Sequence, residues 1–196
     1  MSCGHRFYNE LIPQWKIEYL FIGTFNPEWN NSSNNVDYFY GRSKNQFWCI
    51  LPNVFDSPCL IEKTKKDKIN FCKSHKIGIT DIIKSISNAD ERNDDHKKLI
   101  LNGYRDTNLE KKENNEFIFE LDFNTSNIIQ LIEINKIKGI FFTRSTFNGI
   151  PRIRIQWNFL KQLSKNKFNT GELLTPSQHP IYGIKDKIEH WKEVIF

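Results

Sequence analysis

The stretch YLFIGTFNPEW, residues 19–29, decides the fold. Residues 20–22, Leu-Phe-Ile, form a short continuous apolar run that is typical of a strand buried on both faces. Gly23 and Pro27 then end the strand with a turn. In open α/β sheets the ligand crevice lies beyond the carboxyl ends of the strands. A functional site is therefore expected in the loop that follows Gly23.

Strand-like and helix-like segments alternate along the rest of the chain. The predicted strands are residues 18–22, 76–80, 137–143 and 172–175, and the predicted helices are residues 46–54, 65–74, 126–134, 157–164 and 185–194. This alternation predicts a parallel sheet with helices on both faces. Residues 87–115 are highly charged and carry few apolar side chains, so we interpret them as a solvated segment with room for one helical turn. The sequence predicts one α/β domain over residues 1–196.

Composition and charge narrow the class of protein. Of the 196 residues, 38% are hydrophobic and 14% aromatic, which indicates a globular chain. No apolar run approaches the ~20 residues of a membrane-spanning helix, and no signal pattern opens the sequence. We expect a soluble, cytoplasmic protein without membrane contact. The net charge of +5 suits a polyanionic partner.

The four cysteines argue against a metal site. Cys3, Cys49, Cys59 and Cys72 include no CxxC pair and have no histidine at zinc-finger spacing. The simpler interpretation is that they are reduced thiols that pack as small apolar groups. We therefore expect no metal and no other cofactor.

Amide and aromatic side chains follow the first predicted strand. Asn26 lies in its loop, where an amide can orient a water molecule or bind a base. Tyr40 offers a flat face for stacking, and Asn45 adds a second amide at the start of NQFW. The competing interpretation is a structural turn whose aromatic side chains pack in the core, and we prefer it for Phe47 and Trp48.

A proline-flanked loop follows the last predicted strand, in LLTPSQHPIYG, residues 173–183. A rigid loop of this kind exposes backbone N–H groups and a hydroxyl at the carboxyl edge of the sheet, which suits phosphate binding. The candidate residues are Pro176, Ser177, Gln178 and His179. His179 can also be read as an ordinary loop residue.

The third predicted strand ends in TRST, residues 143–146. Thr143 can bind the edge of a base, and Arg144 can contact a phosphate or pair with a carboxylate. An arginine that is simply solvated fits the sequence equally well.

Taken in order, these motifs resemble those of the uracil-DNA glycosylase superfamily, above all its hypoxanthine-DNA glycosylase and mismatch-specific branches. The segments are FIGTFNPE (21–28), DYFYGRSKNQFWCIL (37–51), GITDII (78–83), IKGIFFT (137–143), TPSQHPIY (175–182) and KIEHWKEVI (187–195). The resemblance implies a three-layer α/β/α sandwich with a short central parallel sheet. It also implies a metal-independent enzyme, commonly monomeric, that hydrolyses the N-glycosidic bond of a flipped-out hypoxanthine or uracil in DNA.

The resemblance further implies roles for individual residues. Asn26 and Asn45 are the catalytic amides, and Phe25, Tyr40 and Thr143 bind the base. Thr143 stands where many members of the superfamily have asparagine. The DNA contacts are Arg144, Pro176, Ser177, Gln178 and His179.

Two other functions remain open at this point. One is a catalytically inactive DNA-binding domain of the same fold. The other is an α/β enzyme for free nucleosides or nucleotides, although the sequence has no glycine-rich phosphate loop.

Overall fold

The computed structural model describes residues 2–29, 36–101, 105–165 and 167–196. Its strands are β1 (Cys3–Gly4), β2 (Tyr19–Gly23), β3 (Ile77–Asp81), β4 (Ile83–Ile86), β5 (Lys112–Glu113), β6 (Glu116–Phe117), β7 (Leu121–Phe123), β8 (Gly139–Phe142) and β9 (Asn169–Glu172). Its α-helices are α1 (Phe47–Val54), α2 (Lys65–Ser74), α3 (Asp94–Leu101), α4 (Asp106–Leu109), α5 (Thr125–Ile134), α6 (Pro151–Ser164) and α7 (Ile184–Ile195). A short 3-10 turn covers Tyr8–Glu10.

The central sheet has four parallel strands in the order β3-β2-β8-β9. In its middle register Phe21 lies between Ile79 and Phe141. Strands that pair in parallel all end at the same edge of the sheet. The loops after β2, β3, β8 and β9 therefore meet at one edge of the sheet, although they are far apart in the sequence.

Helices cover both faces of this sheet. Side chains alternate along a strand, so Phe21 faces a core shared with α1, α2 and α7, while Ile22 faces the core shared with α5 and α6. Trp191 of α7 stacks on Phe21 with 5.9 Å between ring centroids, and Trp157 of α6 packs on Phe142 at 5.4 Å. The prediction of a three-layer α/β/α sandwich with a short parallel sheet is confirmed.

A second, antiparallel sheet with the order β1-β4-β7 flanks the central one. The chain passes from β3 into β4 through Ile82 alone. Asp81, the last residue of β3, therefore lies where the chain leaves the central sheet, with its side chain at the carboxyl edge. Among the described residues, no helix combines the length and the apolar character needed to cross a membrane.

Two predicted elements have the wrong bounds. The fourth strand was expected at residues 172–175 and runs instead over Asn169–Glu172. The prediction followed the apolar Leu173 and Leu174, but β9 is an edge strand of polar sequence and pairs with β8 through its backbone. Helix α6 was expected over residues 157–164 and begins earlier because Pro151 stands in its first turn, where proline favours a helix start.

Residues 87–115 are more structured than the sequence indicates, apart from residues 102–104, which lie outside the described residues. They contain α3, α4 and β5, and the side chains of Ile100 and Leu109 are buried. Glu110 accepts a hydrogen bond from the backbone N–H of Ile153 at 2.8 Å and pairs with Arg152 at 3.0 Å. An acidic group at the N-terminus of α6 is favourable because it satisfies unpaired helix N–H groups. The expectation of a solvated segment is therefore wrong for the part around Ile100, Leu109 and Glu110, whereas residues 91–95 and 111–115 are exposed as expected.

Candidate active-site cleft

The loops at the carboxyl edge of the central sheet enclose a cleft of about 330 Å³, within the range of roughly 300–1,000 Å³ that is usual for small-ligand sites. Its lining residues come from every part of the chain. They are Thr24, Phe25, Asn26, Tyr40, Arg42, Asn45, Asp81, Asp106, Thr143, Arg144, Ser145, Thr146, Leu174, Thr175, Pro176, Ser177, His179 and Tyr182.

The structure brings nearly all of the predicted site residues into this cleft. The two amides, the three base-binding candidates and four of the five DNA-binding candidates line it. Gln178 does not. It lines a neighbouring hollow beside Gln46, and its backbone N–H donates to the carbonyl of Lys44 at 2.9 Å.

Gly23 leaves room at the end of β2 for the side chains of Tyr40 and Asp81. A methyl group on Gly23 would lie 2.2 Å from Asp81 Oδ1 and 2.4 Å from the Tyr40 hydroxyl oxygen. Both oxygens therefore occupy the space that any other residue would fill with Cβ. Glycine is required at this position for both side chains to lie against the end of β2.

Tyr40 is held from two sides. Its ring stacks on Phe47 with 3.9 Å between centroids and 8° between planes, and its hydroxyl lies 2.9 Å from Thr143 Oγ1. Its backbone adopts the left-handed region with φ 57°, which non-glycine residues rarely adopt. Burial raises the pKa of the Tyr40 phenol well above its ordinary value, the charge of Asp81 adds to this, and the bond to Thr143 opposes it. The hydroxyl therefore stays protonated at neutral pH.

Asn26 is bonded to a buried carboxylate. Its Nδ2 donates to Asp81 Oδ2 at 2.6 Å, and the same oxygen lies 2.8 Å from His5 Nε2. His5 and Asp81 are both buried. The N-terminal segment is brought here by an isolated bridge between His5 and Pro27.

Asn45 sits at the N-terminal end of α1 and faces the last loop. Its Oδ1 accepts the backbone N–H of Phe47 at 2.9 Å, and it forms an isolated β-bridge with Ser177. The buried Lys187 of α7 donates to the Ser177 carbonyl at 2.6 Å and to Gln46 Oε1 at 2.9 Å. These bonds fix the last loop against the start of α1.

Arg144 is ion-paired with Asp106 of α4, which also accepts a hydrogen bond from the Thr24 hydroxyl at 3.1 Å. Burial raises the pKa of the Asp106 carboxyl above its ordinary value, whereas Arg144 and Thr24 oppose the rise. Arg144 therefore has an internal carboxylate partner, as one of the sequence interpretations allowed.

At or beside the cleft, sequence reasoning assigned no role to four titratable residues: His5, Asp81, Asp106 and Lys187. Asp81 had a usable signal, because it directly follows the predicted strand 76–80 and so stands at the same edge of the sheet as the loop that carries Asn26. Asp106 lies in the segment interpreted as solvated, and Lys187 looks like one more lysine on the polar side of a helix. Their burial depends on tertiary contacts. Within the described ranges, no three His, Cys, Asp or Glu side chains are grouped so as to hold a metal ion.

The fold and the cleft define an α/β/α protein whose site lies beyond the carboxyl ends of a parallel sheet. A solved structure of similar fold is the solution NMR structure of a "putative Uracil DNA glycosylase" from Methanosarcina acetivorans, with a TM-score of 0.54 and 17% sequence identity. The similarity covers 92% of this chain and 89% of the other. At this identity it establishes the fold. No protein-family model and no curated protein matches the sequence.

Proposed function

We propose that this protein is a DNA glycosylase that hydrolyses the N-glycosidic bond of a deaminated base, hypoxanthine or uracil, in DNA. The observation that carries the proposal is the convergence of Asn26, Asn45 and Tyr40 in one cleft at the carboxyl edge of the sheet. An aromatic face and two amides are the groups that a flipped base and an attacking water require. The similar fold of the Methanosarcina protein supports the same function.

The contacts of each group support these roles. Phe47 covers one face of the Tyr40 ring, so a base can stack only on the other. Asn26 donates through Nδ2 to Asp81, so its carbonyl oxygen is available to hold a water molecule. Cleavage of the glycosidic bond develops positive charge on the sugar, which nearby carboxylate and phosphate groups stabilise. A strong general base is therefore not essential.

DNA would reach the cleft across its rim. His179 stacks on Tyr182 with 5.5 Å between ring centroids, and both residues line the cleft. The last loop is fixed to α1 by backbone bonds, including Gln46 N–H to the Pro176 carbonyl at 2.8 Å. A loop held this firmly can press against a DNA backbone without losing its own conformation.

The test is a base-release assay. End-labelled duplexes carrying one uracil, hypoxanthine, xanthine or mispaired thymine are incubated with the protein and then treated with alkali, which cleaves the strand at abasic sites. Strand cleavage of a uracil or hypoxanthine duplex, absent from the undamaged duplex and from an Asn26→Ala/Asn45→Ala variant, is the expected result. No cleavage of any duplex above the undamaged control refutes the enzymatic proposal.

Binding measurements made in parallel distinguish the proposed glycosylase from the two other functions that the sequence left open. Affinity that falls by roughly 0.9 log units per tenfold rise in salt for each phosphate contacted indicates DNA binding. Binding of this kind without base release would identify an inactive DNA-binding domain. Tight binding of a mononucleotide without a duplex would instead favour an enzyme of free nucleotides.

A further inference from the structure

Asp81 is a buried carboxylate at the carboxyl edge of the sheet to which the sequence motifs assign no role. Its side chain is 2% exposed, and its Oδ2 is bonded to both His5 Nε2 and Asn26 Nδ2. Its Oδ1 lies over Gly23, close to the Tyr40 hydroxyl. The carboxylate therefore connects a buried histidine to one of the two amides proposed for catalysis.

The hydrogen bonds of His5 determine which of its ring nitrogens carries the proton, and therefore which group donates in the bond to Asp81. The backbone N–H of Phe7 can only donate, and it lies 3.0 Å from His5 Nδ1, so Nδ1 is an acceptor. In a neutral imidazole the proton is then on Nε2. His5 therefore donates to Asp81 Oδ2 and holds the carboxylate in place, while Phe25 and Phe39 pack around its ring at 5.7 Å each.

A fixed carboxylate determines which way the Asn26 amide faces. A carboxylate oxygen accepts hydrogen bonds and cannot donate them, so it selects the NH₂ end of the amide. The 2.6 Å bond from Asn26 Nδ2 is the arrangement that follows. The carbonyl oxygen of the same planar group then points away from Asp81. Without the carboxylate, both orientations of the amide would be accessible.

We propose that Asp81, held by His5, is a positioning residue that orients the Asn26 amide so that its carbonyl oxygen accepts a hydrogen bond from the attacking water. This inference rests on the proposed glycosylase function. The carboxylate also polarises the amide, since a charge-assisted N–H bond increases the negative charge on the carbonyl oxygen. Asp81 itself does not contact the water in this arrangement.

Orientation of the amide is measured in the free protein, without DNA. In ¹⁵N-¹H correlation spectra the side-chain NH₂ pair of Asn26 is assigned from its loss in Asn26→Ala. We expect one proton of the pair to be shifted downfield and to exchange slowly with solvent. In Asp81→Ala, which removes the acceptor, both features should be lost, whereas Asp122→Ala, the same change on a half-exposed carboxylate of β7, should leave them unaltered.

The effect of Asp81 on catalysis is tested by a double-mutant cycle with Asn26, in which the single-turnover rate of base release is measured. Asp81→Asn should lower the rate of base release by about 10- to 100-fold, an effect of the size seen when a residue that orients a group at a reaction centre is removed. DNA affinity should stay within about twofold of wild type. In an Asn26→Ala background the same substitution should have no further effect, because Asp81 acts through Asn26. His5→Gln, which retains a donor, should lower the rate less than His5→Ala.

Each outcome decides part of the proposal. Multiplicative effects in the cycle would show that Asp81 acts independently of Asn26 and would overturn it, as would an Asp81→Asn rate equal to wild type. An Asn26 NH₂ signal typical of a solvent-exposed amide would overturn the orientation. If the wild-type protein releases no base, the proposed function and the catalytic part fail together, while the spectra still decide whether Asp81 orients the amide.

Discussion

Replacement of Gly23 by alanine tests whether the side chains of Asp81 and Tyr40 need the space that Gly23 leaves at the end of β2. The new methyl carbon would lie 2.2 Å from Asp81 Oδ1, 2.4 Å from the Tyr40 hydroxyl oxygen and 3.2 Å from Tyr40 Cζ. Non-bonded heavy atoms pack best at roughly 3.5 Å or more, so each oxygen must retreat by about 1 Å. Neither can do so freely. Tyr40 is stacked on Phe47 at 3.9 Å, and Asp81 is bonded to Asn26 and His5.

The magnitude follows from these contacts. Overpacking of a closely packed interior costs about 1–3 kcal/mol, and loss of the bond between Tyr40 and Thr143 would add about 1 kcal/mol. The gain in strand propensity from glycine to alanine offsets up to ~1 kcal/mol. The free energy of unfolding should therefore fall by about 1–3 kcal/mol, which for a chain of this length lowers Tm by roughly 2–12 °C. Displacement of a catalytic group by about 1 Å costs activity of the order of 100-fold.

The measurements are urea unfolding and single-turnover base release at a temperature where the variant is folded. Gly78→Ala is the matched control, because its methyl group would lie 2.9 Å from Ile17 Cδ1 and 3.0 Å from Leu20 Cδ1, in the apolar core. It should lose stability and keep the wild-type rate per folded molecule. A Gly23→Ala protein with wild-type stability and rate would show that the end of β2 tolerates a side chain, and the observed positions of Asp81 and Tyr40 would then not be essential.

Three further substitutions test other parts of the site. Asn45→Ala should lower the rate of base release about 100-fold. It should also lower the free energy of unfolding by about 1 kcal/mol, because it removes the acceptor for the Phe47 N–H at 2.9 Å. The rate and urea unfolding are measured together, and an unaltered rate would show that Asn45 has no part in catalysis. Arg144→Gln leaves the largely buried Asp106 without its counter-charge and should lower the free energy of unfolding, measured with urea, by about 1–3 kcal/mol. Adding Asp106→Asn should recover most of this loss. Failure of that recovery would contradict the pairing of Arg144 with Asp106. Burial lowers the pKa of Lys187, so the native protein releases this proton at a lower pH than the unfolded chain does. The free energy of unfolding of wild type, relative to that of Lys187→Met, should therefore rise as the pH is increased towards about 10.4, the pKa of a lysine in the unfolded chain. Urea unfolding of both proteins at pH 7 and 9.5 measures this difference. A difference independent of pH would show that burial does not change the pKa of Lys187.

The fold was predictable where local pattern and tertiary burial coincide. The apolar run at residues 20–22 and the helix over Lys65–Ser74 agree closely with β2 and α2. Helix α2 is also marked by a capping box between Thr64 and Asp67. Strand β9 was misplaced because an edge strand is stabilised by backbone pairing and needs no apolar run. Its polar sequence, NTGE, carries no strand signal of its own.

The candidate site was predictable as far as the loops that follow strands and the motifs within them. Asn26, three residues after β2, and Thr143, directly after β8, were predicted in this way, and both line the cleft. Asp106 could not be found in this way because it is supplied by α4, whose position depends on the bonds of Glu110 to α6. No local feature of the sequence indicates that a charged segment folds back onto the edge of a sheet.

Several polar groups of the cleft are oriented by buried partners to which the motifs assign no role. His5 orders Asp81, and through it Asn26, while the carbonyl of Ile22 lies 3.2 Å from the hydroxyl of Thr143. Lys187, fully buried, holds the last loop by its bond to Ser177. A chain with the same strand-end motifs but without these partners would have the same residues in the cleft and different atoms facing the substrate. Motif residues therefore define which groups are present, and their buried partners define what those groups can do.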